Sequence, residues 1–399
     1  MATVVLVGTL DTKGLEYAYL RERLRGHGAD VLLVDAGVNE PLVEPDVSRQ
    51  EVARAAGADV AFGDRGAAVD AMARGAEVVV QRLHEAGRLD GILALGGSGG
   101  TAIATQAMRA LPIGVPKLMV STMGSGDTRP YVGAVDVTMT YSVVDISGIN
   151  AISARILSNA AAAMAGMVDA APPEAGEGKP LVGASMFGVT TPCVTAAREY
   201  LEELGYEVLV FHATGTGGQS MEALMRSGFI SAVLDVTITE LADDLVGGVL
   251  SAGPDRLEAA GELGLPQVVS LGALDMVNFG PRDTVPERFR DRLFYEHNPS
   301  VTLMRTTPEE CAELGRRIAR KLNAATGPVT LFVPLRGVSM IAVEGEPFHD
   351  PEADEALFAR LREELDPSVD VRELDADIND PAFATAMAAR LHELAGARV

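Results

Sequence analysis

Short runs of Val, Leu and Ile recur along the chain, separated by stretches in which apolar residues return every three or four positions. The first run is Val4-Val5-Leu6-Val7. Beyond the turn Gly8 to Gly14, Tyr17, Leu20 and Leu24 fall on one face of a helix, and Gly28 leads into a second run, Val31 to Val34. Gly91 to Leu95 and Lys117 to Ser121 read the same way, and the apolar stretch Val132 to Val144 reads as a further strand. Uninterrupted apolar strands bury both faces, so strands of this kind alternating with amphipathic helices predict parallel sheets covered on each side. The expected fold class is α/β, with doubly wound parallel sheets.

An Ala-rich helix from about Asn150 to Met167 closes this half. The segment Ala170-Ala171-Pro172-Pro173-Glu174-Ala175-Gly176-Glu177-Gly178-Lys179-Pro180 follows, and its proline, glycine and charge form no core. The expected organisation is a domain over 1–170, a linker over 171–180 and a second domain over 181–399. The pattern then restarts with strand Leu181 to Ala184, a turn from Ser185 to Pro192, and a helix bearing Val194, Ala197, Leu201 and Leu204. Gly205 and strand Glu207 to Phe211 come next. Gly264 to Ser270 mirrors Gly114 to Ser121, each with a Pro three or so residues in and a Gly-rich loop after it. Strands near Val329 to Val333 and Val369 to Leu374 complete the second half, and two similar Rossmann-like domains are the economical reading.

Composition narrows the function classes. The first eight residues carry neither a basic region nor a cleavage signal, and no apolar run approaches the roughly 18–20 residues of a membrane span. A cytoplasmic location and no membrane partner are expected. The two cysteines, Cys193 and Cys311, lie far apart and read as packing residues. A net charge of −23 repels phosphate backbones at long range, which argues against nucleic acid but leaves room for a small nucleotide in a locally positive pocket.

Open parallel sheets bind ligands beyond the carboxyl ends of their strands, so the loops there carry the candidate chemistry. Gly96-Gly97-Ser98-Gly99-Gly100-Thr101 follows one strand and opens a helix. Glycines let a backbone approach a phosphate closely, and the free amides and dipole of a helix start favour anionic charge. A tight turn that needs glycine for packing is the other reading, but four glycines in five positions exceed what a turn requires. Ser121-Thr122-Met123-Gly124-Ser125-Gly126-Asp127 follows the next strand, with hydroxyls for a phosphate and Asp127 for its Mg²⁺; ordinary surface-loop chemistry is the alternative. The first turn brings Gly8, Thr9, Asp11, Thr12 and Lys13 to the same edge. Lys13 suits a phosphate and Asp11 a metal or catalytic role, unless Asp11 and Thr12 only cap a helix. In the second half, Thr214, Gly215 and Gly217 form a further anion-loop candidate, while Asp235, Glu240 and Asp275 are strand-end acids suited to metal or general-base roles and His212 is a possible acid or base. No Walker A motif is present, and the dinucleotide fingerprint fits poorly.

The loops at 8–14, 96–101 and 121–127, with Asp145-Ile146-Ser147-Gly148-Ile149-Asn150, Phe187 to Pro192, His212 to Gly215 and Pro334 to Ser339, resemble the family of the ATP-binding domain of the tomato mosaic virus resistance protein. The resemblance covers essentially the whole chain. It implies two Rossmann-like domains that bind ATP with Mg²⁺ and assemble as a homodimer. On that reading Gly-rich loops hold the nucleotide at a cleft between the domains. Two function classes follow: an ATP-dependent enzyme that transfers a phosphoryl group to a small-molecule substrate or hydrolyses ATP, with Asp11, Lys13 and Asp127 as catalytic residues, and a regulatory or protein-interaction module that binds ATP without turnover.

Overall fold

In the computed structural model, residues 1–57, 65–170 and 178–396 are described. The chain divides into two compact units, Met1–Ala175 and Gly176–Val399. Residues 171–177, most of the expected linker, lie outside the described residues.

The first unit has strands β1 (Thr3–Gly8), β2 (Asp30–Asp35), β3 (Gly91–Gly96), β4 (Lys117–Ser121) and β5 (Thr138–Tyr141). Its helices are α1 (Leu10–Gly26), α2 (Arg49–Ala55), α3 (Arg65–Glu85), α4 (Ser98–Arg109), α5 (Arg129–Val132) and α6 (Ala151–Asp169). The strands form one sheet in the order β2-β1-β3-β4-β5, and every pair is parallel. Alternate residues of β1 serve opposite layers, as the two-residue period of a strand demands. Val5 and Val7 pack with Met72, Ala76, Ile103 and Met108 of α3 and α4. Val4 and Leu6 pack with Tyr17, Leu20 and Leu24 of α1 and with Leu157 and Met164 of α6. Each such side chain, taken fully out of water, contributes about 1.5–3 kcal/mol.

The stretch from Val132 to Val144 holds less strand than its hydropathy predicts. Only Thr138–Tyr141 joins the sheet, as an edge strand that is nowhere fully buried. Helix α6 begins where Asn150 caps it, its side chain accepting from the amides of Ile152 and Ser153 at 3.0 Å each. By length and composition alone α6 is apolar enough to cross a membrane, although Arg155 and Gly166 interrupt it and no unbroken apolar run of that length is present in it. Its Leu157, Ala160, Ala161 and Met164 are buried in the unit's own core.

The second unit repeats the plan. Strands β6 (Leu181–Met186), β7 (Glu207–His212), β8 (Ala232–Thr237) and β9 (Gln267–Gly272) precede β10 (Met276–Phe279), β11 (Phe294–Asn298), β12 (Val301–Arg305), β13 (Val329–Pro334) and β14 (Asp370–Leu374). The helices are α7 (Thr191–Glu203), α8 (Thr216–Arg226), α9 (Glu240–Val246), α10 (Ala259–Glu262), α11 (Pro308–Asn323), α12 (Pro351–Glu364) and α13 (Pro381–Gly396). The parallel sheet runs β14-β13-β9-β8-β6-β7. Counted within each unit, both sheets follow the order 2-1-3-4-5, extended by one strand in the second. Both are therefore doubly wound, Rossmann-like sheets.

One element departs from the repeat. β10, β12 and β11 form a separate antiparallel sheet between β9 and α11, where a Gly-rich loop was expected after Ser270. Cys193 and Cys311 are buried free thiols in the cores beside α7 and α11, and burial pushes them up to about 12 and about 11.

Candidate functional site

In the first sheet, the connection from β1 leads out to β2 and the one from β3 leads the other way to β4. The loops after β1 and β3 therefore part, and the crevice between them is where ligands of doubly wound sheets bind. A cavity of about 310 Å³ lies there, lined by Thr9, Asp11, Thr12 and Lys13 after β1 and by Gly96 to Gly100 after β3. Ala36, Val38, Val69 and Ile103 supply an apolar wall. A larger cavity of about 570 Å³ belongs to the second unit. Pro180, Tyr206, Ser231 and Pro266 line it, and each directly precedes a strand, so it sits at the opposite, amino ends of that sheet.

The glycines around the first cavity have different causes. A Cβ on Gly8 would lie 2.0 Å from the Tyr17 hydroxyl, and one on Gly96 would lie 3.0 Å from the Gly100 backbone, so internal packing explains both. The others are open. A Cβ on Gly99 meets nothing within 4 Å, and on Gly97 and Gly100 it meets only ordinary contacts at 3.8 and 3.7 Å. None of the three has a positive φ. Neither packing nor backbone conformation within the protein requires glycine at 97, 99 or 100, although inside the helix, at 99 and 100, glycine costs about 0.5–1 kcal/mol relative to alanine. Gly97 is the N-cap of α4 and no side chain caps that end. The first-turn amides of Ser98, Gly99 and Gly100 have no carbonyl one turn back to bond.

Buried hydroxyls hold this scaffold together. Tyr17 reaches from α1 between two strand ends, donating toward the carbonyls of Val7 (2.6 Å) and Leu95 (2.9 Å) and accepting from the Leu95 amide at 3.0 Å. Burial raises its pKa well above that of a free phenol. Thr101 and Ser121 share a hydrogen bond of 2.7 Å, Thr101 also donates to the Gly97 carbonyl at 2.7 Å, and both residues are fully buried. These two hydroxyls fix the glycine turn to the end of β4, and neither residue lines the cavity.

The loop after β4 contributes less than expected. Thr122 stays beside the turn, its amide bonded to the Gly96 carbonyl at 3.2 Å, and Gly124 is glycine because the Tyr141 backbone passes 3.0 Å from its Cβ position. Ser125, Gly126 and Asp127 are exposed and do not line the cavity. Both Asp127 oxygens meet the guanidinium of Arg129, at 2.9 and 2.8 Å, and this pairing lowers the carboxyl to about 2. Asp127, expected to hold Mg²⁺, thus stands outside the cavity with its oxygens facing a resident cation, and another carboxylate lies nearer to that cavity.

That nearer carboxylate is Asp11. Its Oδ2 accepts from the amide and side chain of Asn39 at 3.1 and 3.0 Å, while its Oδ1 is a buried oxygen with no hydrogen-bond partner among the described residues. Behind it lies Asp35 at the end of β2, fully buried. Its Oδ1 accepts from the amides of Leu10 (3.3 Å) and Gly37 (2.9 Å), and its Oδ2 is likewise orphaned. Burial raises the pKa of Asp35. Of the two acids only Asp11 lines the cavity, and an orphaned carboxylate oxygen there is a donor that a divalent cation accepts together with phosphate oxygens. Lys13 Nζ donates to the Ile146 carbonyl, and Glu16 accepts from the Gly148 amide at 2.6 Å, so α1 carries the segment that precedes α6. Among the described residues, no three His, Cys, Asp or Glu side chains cluster as a ready metal site.

In the second unit the corresponding ligand positions are filled from within. The amides of Gly215 and Gly218 at the start of α8 both donate to Glu240 Oε1, at 2.8 and 3.1 Å. Thr214, Gly215 and Gly217 therefore present their loop to a resident carboxylate and not to a phosphate, and Gly217 is glycine because the His212 carbonyl lies 1.8 Å from its Cβ position. Glu240 Oε2 in turn accepts from Arg256 Nε at 2.6 Å, and Arg256 makes a two-bond pair with Asp235 at 2.6 and 2.7 Å. Arg256 is buried with these partners. Asp235 and Glu240 are its counter-charges, and Asp275, bonded to Ser339 at 2.8 Å, is buried and lifted to about 6. His212 packs its ring 5.2 Å from Phe187. Counted from the start of each unit, the turn matching Gly96–Thr101 is the one after β8, and it reads Ile238-Thr239-Glu240, without glycine and buried.

Two doubly wound α/β units, the first with an open glycine turn at its switch point and the second with that point closed, define a two-domain Rossmann-like protein. The chain matches the Uncharacterised protein family (UPF0261) N-terminal domain over residues 2–173 and the C-terminal domain of the same family over 179–395. It belongs to the UPF0261 family. A UPF0261 protein of Clostridium tetani is 54% identical over 97% of this chain and 98% of its own length. The ToMV resistance protein Tm-1(GCR237) of Solanum lycopersicum is 47% identical over 82% of this chain and 44% of its own length, in keeping with the resemblance of the loops. Among solved structures, the Methanocaldococcus jannaschii UDP-GlcNAc 2-epimerase is similar at a TM-score of 0.23 and 9% identity, over 67% of this chain and 83% of that one. At those values the sheet order itself, and not the likeness, defines the fold.

Proposed function

We propose that the first unit binds ATP, with its phosphates on the first-turn amides of α4. The observation that carries this reading is the turn at 97–100, where three glycines leave open space that nothing inside the protein explains. Thr9, Thr12 and Lys13 line the same cavity from the short turn that precedes the kink of α1 at Lys13, and the N-terminus of α4 adds its dipole. The apolar wall of Val38, Val69 and Ile103 suits the flat, weakly polar face of a nucleobase. Mg²⁺ accompanies the nucleotide in this reading, and the protein works in the cytoplasm as a homodimer. The enzyme reading places a small substrate beside the γ-phosphate, for phosphoryl transfer or hydrolysis.

A second reading, an ATP-dependent interaction module without turnover, draws support from the surface. Leu15 on α1 is 61% exposed and Ile152 on α6 51% exposed, on two helices that pack together, which suits cover by a protein partner. Calorimetric titration with Mg·ATP tests the shared claim, with micromolar or tighter binding expected from wild type and a loss of at least tenfold in Gly99→Val. Equal affinity in that variant removes the turn from the site. Phosphorus NMR of Mg·ATP with protein and candidate small acids and sugars separates the two classes, since a module leaves the γ-phosphate in place.

A further inference from the structure

Resting on the nucleotide reading of the cavity, we infer that Lys13 is a latch on residues 142–150, holding that segment in a strained conformation until a phosphate draws its ammonium into the cavity.

The segment joins β5 to α6 and is tied to both walls of the cavity. At its start the Ser142 amide donates to the Ser121 carbonyl at 3.0 Å, at the strand end whose side chain holds the glycine turn through Thr101. Further along, Lys13 Nζ donates to the Ile146 carbonyl, and Glu16 Oε1 accepts from the Gly148 amide at 2.6 Å. Between these ties the backbone is strained. The Val144 amide donates to the Ser142 carbonyl at 2.7 Å, closing a γ-turn whose central residue, Val143, has a φ of +64°. That form of γ-turn is rare, and a β-branched residue is poorly suited to it. Val143 is also 59% exposed, so little burial offsets the strain. Such a residue persists only where its surroundings over-determine it. Here those surroundings are the bonds to Ser121, Lys13 and Glu16, with Ile146 set in the same core as Leu10, Leu20 and Leu157.

Lys13 belongs to the segment and to the cavity at once. It lines the cavity, and its backbone leaves helical geometry at φ −124° and ψ 17°, so the kink divides the cavity-lining turn from the body of α1 that carries Glu16. Phosphate oxygens carry charge and the Ile146 carbonyl does not, so Coulomb attraction favours the phosphate as partner of the ammonium. Once Lys13 turns, the segment loses that tie and the strain at Val143 favours its release. Phosphate binding and the docked segment compete for one side chain, and each weakens the other by the same factor.

The test reads hydrogen exchange across 142–150 by mass spectrometry on the full chain. Exchange in wild type should quicken at least tenfold in saturating Mg·ATP, and Lys13→Met should show the quick exchange without nucleotide. Ile146→Ala loosens the docked segment without changing charge, at a residue that does not line the cavity. It should bind Mg·ATP at least threefold more tightly than wild type, whereas a merely structural role would leave affinity equal or lower. Melting curves show whether each variant is folded, and Ile146→Ala serves where Lys13→Met is not. Unchanged or slower exchange at 142–150 in wild type saturated with Mg·ATP overturns the latch, as does equal or weaker affinity in folded Ile146→Ala. Should titration calorimetry find no ATP binding, the nucleotide reading falls by itself and inorganic triphosphate takes the place of ATP: quickened exchange then supports the latch, and unchanged exchange overturns it.

Discussion

Replacing Gly99 by alanine should move stability and ligand affinity in opposite directions. Gly99 is the second residue of α4, exposed, with nothing within 4 Å of a built Cβ. An alanine there meets no steric penalty and restricts the unfolded chain, which stabilises proteins by about 0.4–1 kcal/mol at compatible sites. In a unit of this size that corresponds to about 1–4 °C in melting temperature. The same methyl group stands where a phosphate would approach the Gly99 amide. Loss of one charge-assisted hydrogen bond costs about 1.5–3 kcal/mol, or roughly 10- to 150-fold in affinity. Differential scanning calorimetry without nucleotide and titration calorimetry with Mg·ATP read the two effects separately. A variant that melts lower shows that glycine at 99 serves the protein's own packing. One that melts higher and binds equally well shows that the space above Gly99 is not where phosphate sits. Either outcome refutes the reasoning.

Other consequences follow from the buried polar groups. Tyr17→Phe removes the hydroxyl that joins the ends of β1 and β3 and strands the Leu95 amide, and should cost the first unit about 1–3 kcal/mol in urea denaturation; a change under about 0.5 kcal/mol would mean the hydroxyl bridges nothing of consequence. Glu240→Gln disturbs the buried Arg256 network and should destabilise the second unit by about 3 kcal/mol or more, while ATP affinity stays at the wild-type value. Burial raises the Asp243 carboxyl to about 7, whereas an unfolded aspartate titrates near 3.9. The folded state therefore holds a proton that the unfolded state releases, and this contribution is full below about pH 4 and falls away as the pH rises to about 7. Relative to Asp243→Asn, wild type should lose on the order of a few kcal/mol across that window, measured by denaturation at pH 4, 5.5 and 7; parallel pH profiles would show that the group does not titrate there.

Much of the architecture was legible because it rests on local periodicity. The strands at Val4, Val31, Ile92 and Leu118, the helix face of Tyr17, Leu20 and Leu24, and the restart after residue 180 all depend on residues a turn or a strand apart. The cavity loops were legible for the same reason, since Gly96 to Thr101 declares itself by composition. What escaped depends on partners far along the chain. Arg256 sits in an unremarkable Gly-Pro-Asp-Arg segment, and its partners Asp235 and Glu240 come from other elements; the available signal was an acid inside the apolar run Ala232 to Thr237, which demands a counter-charge. Thr101 and Ser121 read as ligand hydroxyls, yet they bond each other across two strands. The antiparallel strands at 276–279, 294–298 and 301–305 were missed since their pairing has no helical or repeat signature nearby.

A crystal structure of the protein grown with Mg·ATP tests the central claim most directly. Phosphate density within hydrogen-bonding distance of the Ser98, Gly99 and Gly100 amides, beside Thr12 and Lys13, is the predicted result. Nucleotide bound elsewhere with that turn empty, for instance on the Gly215 and Gly218 amides with Glu240 displaced, would contradict it.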